Sequence, residues 1–339
     1  MLKDIIKNLV SKIKKSPPDK RYRNLVFKGG GVRGIAYLGA LEILEERGIL
    51  QNIERLAGTS AGAIAATLVS FRLSMKETFA IFDGLNLAQI AQGGNNEDGK
   101  ALKILPLKNT EGYKRIFERY GWYSSEYLHQ WLQAVIAKQC GGNGRATFND
   151  FRRLGFRDLH IIAVNLSRRR AEDFSYETTP DVAVADAVRM SISIPIIFEA
   201  LRFDGEKFGD GDYYVDGGLY LNYPINLFDQ ASYVKNKQAF IGGINWETLG
   251  LFLVSGTKEL ENEPAYPENI WEFLNLTIQC IYDSHQFSGV QQKPVDLQRS
   301  ALINDCGVSP VMFNIERGGQ EYRCLIESGR QAMRDFLNK

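Results

Sequence analysis

Three small-residue clusters in this chain have spacings that suit acyl transfer. Gly58-Thr59-Ser60-Ala61-Gly62 has the form GxSxG, in which a serine on a sharp strand-to-helix turn is flanked by residues small enough for the chain to fold back. Such a turn points the hydroxyl outward, with a helix N-terminus behind it to favour negative charge. The same five residues also fit a plain tight turn, so both readings stand. Upstream, Gly29-Gly30-Gly31-Val32-Arg33-Gly34 satisfies GxGxxG. It reads either as a dinucleotide-binding turn or as a run of backbone N–H groups that cradles an oxyanion. A dinucleotide site wants an acidic residue closing the next strand. Glu54 has roughly the right spacing but precedes the strand end, which GTSAG occupies. A serine elbow one βα unit later favours the oxyanion reading.

A serine hydroxyl needs a base to attack an ester at neutral pH. Histidine is the usual one, and this chain has only His129, His160 and His285. His160 lies beside or within the apolar run Leu159–Val164 and reads as a packed residue. His285, in Tyr282-Asp283-Ser284-His285, sits late enough to close a triad in the order Ser, acid, His. The other candidate is Asp216 of Asp216-Gly217-Gly218, acting on Ser60 directly. Asp-Gly is also a favoured hairpin turn, and Tyr213–Val215 and Leu219–Leu221 suit two short strands about it. Three separated histidines without paired cysteines predict no metal site. Cys140, Cys280, Cys306 and Cys324 show no CxxC spacing and are expected as reduced, partly buried thiols in a reducing compartment.

These residues need elements to hold them. Asn24–Phe27 reads as a buried strand, followed by the first glycine turn and a helix carrying Ile35, Leu38, Leu41, Ile43 and Leu44 up to Gly48. Ile53–Ala57 begins a second strand that enters GTSAG, and Ala63–Phe71 follows as a helix. Strand, glycine turn and helix, twice over, predict an α/β layer architecture with a mainly parallel sheet. Further on, Tyr127–Lys138 reads as a helix, Leu159–Val164 as a core strand and 182–190 as a helix leading into Ser191-Ile192-Ser193-Ile194-Pro195. Residues 321–337 close the chain as a helix. Residues 85–115, with the polar run Gly93–Gly99, read as a surface excursion. No internal repeat or long linker appears, which predicts one compact domain with an N-terminal appendage.

That appendage is charged. Eight Lys and Arg against two aspartates give residues 1–24 a charge of +6, leaving −5 for the rest of a 339-residue chain with net charge +1. A near-neutral balance argues against a nucleic-acid binder. Leu2, Ile5, Ile6, Leu9, Val10 and Ile13 form one face of a basic helix, stopped by Ser16-Pro17-Pro18-Asp19. Residues 1–15 suit either an anionic membrane surface or packing on the domain or a partner chain. No apolar run reaches transmembrane length, and the N-terminus lacks the apolar stretch of a signal peptide. A soluble cytoplasmic protein, peripheral to membranes at most, is expected, with export by a signal-free route left open.

Taken in order, the glycine block at Lys28–Gly34, Gly58–Gly62 and Asp216–Gly218 resemble the three signature blocks of patatin-like phospholipases. Ser191–Pro195 and Asn222-Tyr223-Pro224 add two lesser matches, and the resemblance spans Asn24 to Leu227. It implies a three-layer α/β fold with helices on both faces of the sheet. It implies Ser60 as nucleophile, Asp216 as base without histidine, and Gly29, Gly30, Gly31 and Gly34 as the oxyanion hole. A phospholipid or lysophospholipid is the implied substrate, with no cofactor, and Arg33 is either a contact to lipid phosphate or a solvated or ion-paired arginine. Lys28 departs from the acidic residue that many members carry there, which alters charge near the hole. The implied organisation is an N-terminal helix and proline linker over 1–23, a catalytic domain over 24–229, and residues 230–339 packed on it. The rivals are an α/β-hydrolase with a Ser60–Asp–His285 triad and a non-catalytic dinucleotide binder.

Overall fold

The computed structural model describes residues 22–90, 110–254 and 294–339, with single positions 267, 273, 276 and 280 between the last two segments. The basic amphipathic segment Leu2–Ile13, the polar run Gly93–Gly99 and His285 lie outside the described residues.

Short apolar runs, each ended by a glycine or polar turn, build the strands. They are β1 (Asn24–Phe27), β2 (Arg55–Thr59), β3 (Gly121–Tyr123), β4 (Asp158–Asn165), β5 (Arg170–Ser175), β6 (Ile196–Phe198), β7 (Leu201–Phe203), β8 (Asp212–Asp216), β9 (Phe240–Ile241), β10 (Ile244–Asn245), β11 (Thr248–Val254) and β12 (Ser300–Asn304). The main sheet runs β12-β11-β1-β2-β4-β8-β7, with β5 also on β4. From β12 to β4 all neighbours are parallel, while β5, β8 and β7 join antiparallel. The predicted α/β class with a mostly parallel central sheet is what forms.

Alternation along the strands divides the core. Leu25 and Phe27 of β1 join the larger cluster with Tyr37, Leu41 and Leu44 from the Ala36–Glu46 helix and Leu325 and Met333 from the Gln320–Leu337 helix. Val26 points the other way, with Ala57 of β2 and Phe252 of β11, against Tyr223, Ile225, Phe228 and Tyr233. Among the described residues, two short 3-10 turns, Ile225–Phe228 and Ala231–Tyr233, pack on that second face. Each fully buried Leu or Phe contributes roughly 1.5–3 kcal/mol. The Ala36–Glu46 and Gln320–Leu337 helices approach backbone to backbone, so closely that a Cβ on Gly39 or Gly329 would collide with the carbonyl of Ile326 or Ala36.

Two expectations need correction. Tyr213–Leu221 is not a hairpin: β8 forms, but Gly217–Leu219 turns as a 3-10 helix whose Gly218 N–H donates to the Asp216 carboxylate at 2.6 Å. Thr59 Oγ1 then donates to the Leu221 carbonyl at 3.0 Å and draws the returning chain toward β2. Nor are all the cysteines thiols. Cys306 and Cys324 form a disulfide, while Cys140 and Cys280 are free. No local motif marks the pair: the loop after β12 folds back on the last helix and leaves the two Cα atoms 6.3 Å apart, within bridging range. Burial, with Asp150 nearby, pushes the Cys140 thiol up to about 11, so it stays protonated.

Opening the loop of sequence separation 18 should cost about 3 kcal/mol. Cys324→Ser should therefore melt below wild type in oxidising buffer, and the two should melt together in excess dithiothreitol.

Candidate active site

β2 ends at Thr59, and the Ala61–Ser70 helix begins one residue after Ser60. Ser60 therefore carries the whole change of direction, at φ 55 and ψ −126, a region costing a non-glycine residue of order 1–3 kcal/mol. Its hydroxyl makes no capping bond to the helix. The turn is tight enough that a Cβ at Gly58 would meet the Gly62 carbonyl, and one at Gly62 the Phe27 carbonyl. This is why the serine is flanked by Gly and Ala.

Asp216 reaches the same place from the opposite direction. β5 occupies one edge of β4 from His160 to Asn165. β2, paired to Asp158–Ile162, and β8, paired to Ala163–Asn165, therefore share the other edge. β2 runs parallel to β4 and β8 antiparallel, so they meet end to end, with Thr59 opposite Ile162 and Asp216 opposite Ala163. Neighbouring strand positions lie about 3.3 Å apart. A Cβ on Gly217 would come within 2.9 Å of Thr59 Cγ2, which marks how closely the two ends abut. Asp216 is fully buried.

The glycine block forms a third side. Gly29 N–H donates to the Asn222 carbonyl at 2.9 Å and Val32 N–H to the Pro310 carbonyl at 3.0 Å. Gly30 and Gly31 lie between them at the start of the Gly31–Ile35 3-10 turn, where N–H groups have no partner within the turn. Gly31 has φ +58, and a Cβ there would run into the Pro310 carbonyl. At Gly34 a Cβ would be 3.1 Å from Ala61 Cβ, which packs the block against the elbow. Gly29 is hemmed in by the Asn222 side chain and Ser60 Cβ.

Arg33 anchors this loop. Its Nε donates to the Val308 carbonyl at 2.8 Å and its Nη1 pairs with Asp305 at 3.0 Å. Lys28 is buried, with Nζ donating to the Leu253 carbonyl at 3.2 Å and lying 4.9 Å from the centre of the Phe252 ring. Sequence reasoning missed the backing supplied by Asp305, Val308 and Pro310, because nothing in their types or spacing announces it.

From Ser60 an apolar cavity opens between the helices. Leu38, Leu41, Ile64, Leu68, Phe82 and Leu128 line it, with Ile192, Ile194, Phe198 and Phe313, and its polar members are Ser60, Tyr37 and Thr78. Tyr37 and Thr78 direct their hydroxyls to the Lys28 and Ser74 carbonyls, which leaves walls suited to a hydrocarbon chain. His160 pairs with Asp173 at 2.9 Å and stacks edge-on against Phe228, and His129 pairs with Asp186 at 2.7 Å. Neither lines the cavity at Ser60. Among the described residues no group of three His, Cys, Asp or Glu is arranged to hold a metal, and no helix is long and apolar enough to cross a membrane.

A strand–serine–helix elbow opening on an apolar cavity, a glycine loop and a buried aspartate at the abutting strand end define a class, and comparison with known proteins gives it a family. The profile of the patatin-like phospholipases matches residues 25–229. The chain belongs to that family and is a lipid ester hydrolase. YqhO of Bacillus subtilis (strain 168), an uncharacterized protein, is 31% identical over 324 residues, covering 94% of this chain and 99% of its own. A probable lipid hydrolase of Invertebrate iridescent virus 6 is 27% identical over 225 residues, 65% of this chain and 67% of the viral one. The crystal structure of VipD from Legionella pneumophila shares the fold, with a TM-score of 0.56 at 18% identity, covering 98% of this chain and 72% of VipD.

The glycine loop supplies a direct test. At Gly31 a side chain meets both a left-handed backbone costing about 1–2 kcal/mol and the Pro310 carbonyl. Gly31→Ala should lower Tm and remove esterase activity. Gly141→Ala, at φ +62 with nothing within 4 Å, should keep full activity on the same ester substrate.

Proposed function

We propose that this enzyme hydrolyses carboxylic esters of phospholipids or lysophospholipids through an acyl-enzyme on Ser60, with Asp216 as the base. The observation that carries this reading is the end-to-end meeting of β2 and β8 on one edge of β4, beside a cavity lined by hydrocarbon. Ser60 Oγ attacks the ester carbonyl carbon while its proton passes to Asp216. The N–H groups of Gly30 and Gly31, with that of Ala61, hold the resulting oxyanion, each donor being worth about 3–4 kcal/mol in other hydrolases. Collapse expels the alcohol, which takes the proton from Asp216. Water then attacks the acyl-serine with Asp216 again as base, releasing the fatty acid and restoring Ser60. Every atom balances with water as the sole co-reactant.

The acyl chain lies in the cavity of Leu38, Leu41 and Leu68, and the polar remainder of the lipid stays outside. The viral relative named as a probable lipid hydrolase supports the substrate class. The basic segment at residues 1–15 is read as a contact with an anionic membrane surface, where the +6 charge of residues 1–24 is attracted and the apolar stripe is buried.

Three outcomes follow, the first two read on one labelled phospholipid. Ser60→Ala should lose turnover and fluorophosphonate labelling with its circular dichroism unchanged, and retained turnover would sink the nucleophile. Asp216→Asn should fall by at least about 100-fold, while His285→Ala keeps most of its activity. The reverse pattern in two folded variants would replace the dyad by a triad. Deletion of residues 1–18 should weaken binding to phosphatidylserine vesicles and leave hydrolysis of a short soluble ester unchanged, and undiminished vesicle binding would dismiss the membrane contact.

A further inference from the structure

The Val184–Ser191 helix delivers the chain into Ser191–Pro195, and this stretch bonds to the backbone of both Ser60 and Asp216. Ser191 Oγ accepts the Ser60 backbone N–H at 2.9 Å and donates to the Ile162 carbonyl at 2.6 Å. Two residues on, the Ser193 carbonyl accepts the Asp216 N–H at 2.8 Å, and Ser193 Oγ donates back to the Arg189 carbonyl at 2.8 Å. Ser191 and Ser193 are both completely buried.

Why a hydroxyl stands at 191 follows from the strand junction. Ser60 N–H lies past the end of β2, and as the residue leading into a helix it has no intrahelical acceptor. The Ile162 carbonyl sits at the seam where β2 gives way to β8. One donor and one acceptor are thus left at the same break in the ladder. A serine hydroxyl has a lone pair for the first and a proton for the second. A side chain without that hydroxyl leaves both buried groups unpaired, and buried backbone groups almost always find partners.

We propose that Ser191 is a positioning residue for the nucleophile. By tying the Ser60 N–H to the Ile162 carbonyl it fixes the positive-φ backbone of Ser60 against β4, and with it the direction of the reacting hydroxyl relative to Asp216. The proposal rests on Ser60 being the nucleophile. Ile192 and Ile194 of the same stretch line the apolar cavity, so five consecutive residues both contact the acyl chain and align the serine. Loss of the Ser191 hydroxyl therefore acts on the rate of acyl transfer and not on the affinity for the chain.

Fluorophosphonate labelling rate, kcat and KM on a p-nitrophenyl acyl ester, the pH profile and Tm are measured for wild type, Ser60→Ala, Ser191→Ala and Ser191→Cys. Folded Ser191→Ala should label and turn over about 10-fold more slowly, with KM within about 2-fold of wild type. Its pH profile should not move, because no proton passes through this hydroxyl. Ser191→Cys, with a weaker acceptor and donor, should fall between the two. A merely structural serine would lower Tm and leave the labelling rate of the folded protein unchanged, and that outcome overturns the proposal, as does a shifted pH profile or a loss confined to KM. If Ser191→Ala fails to fold, Ser191→Cys decides: slower labelling at unchanged KM upholds the proposal, and a wild-type rate overturns it. Failure of the nucleophile reading appears separately, as labelling retained by Ser60→Ala or absent from wild type.

Discussion

Everything at the site depends on how β4 is shared. One of its edges belongs to β5, and the other is divided, with β2 taking Asp158–Ile162 and β8 taking Ala163–Asn165. Strands that share an edge from opposite directions must stop where they meet. At that seam the backbone ladder is broken, so N–H and C=O groups become available for other partners, and side chains from two remote stretches of sequence come together. Ser60 leaves the sheet by a forced turn and Asp216 by a 3-10 turn of its own making. The ends of β2 and β8 would not abut if β8 lay on a separate edge.

Placing a serine at φ 55 costs conformational energy that the surroundings must offset. They do so by contact on every side. Gly58 and Gly62 allow the chain to fold back, Ala61 abuts Gly34, and the helix beyond is buried through Ala63, Ala66, Thr67 and Leu68. The glycine loop is fixed in the same manner, with Gly31 pressed against Pro310 and Arg33 tied to Asp305 and Val308. These contacts hold the backbone N–H groups of the glycine loop in one arrangement, as the proposed oxyanion role requires of a donor that must not reorganise when charge develops. The Cys306–Cys324 bond closes the segment that carries Val308 and Pro310.

The family profile ends at residue 229, yet the site does not. β11 and β12 extend the parallel sheet beyond β1, Phe313 lines the cavity beside Phe198, and the last helix packs against the helix that follows the glycine loop. The described residues after 229 therefore belong to the same hydrophobic core and carry part of the site. Their contributions are backbone carbonyls, apolar side chains and one buried aspartate, all residue types that fit many roles.

What the sequence determined by itself was local. Runs such as Leu159–Val164, glycines at the ends of strands and the 3.6-residue spacing of the Ala36–Glu46 and Gln320–Leu337 helices specify their elements, because propensity and turn chemistry act over a few residues. The GxSxG elbow and the GxGxxG block were legible for the same reason, and so was the burial of His160. The hairpin expected at Tyr213–Leu221 failed because the Asp216 side chain and Thr59 outcompeted a strand partner. Tertiary structure alone decided which ends meet: that Thr59 and Asp216 face consecutive residues of β4, that Ser191 fills the seam between them, and that Cys306 finds Cys324. Each is a contact between segments with no shared period or motif, set only when whole strands choose their edges and the core closes around them.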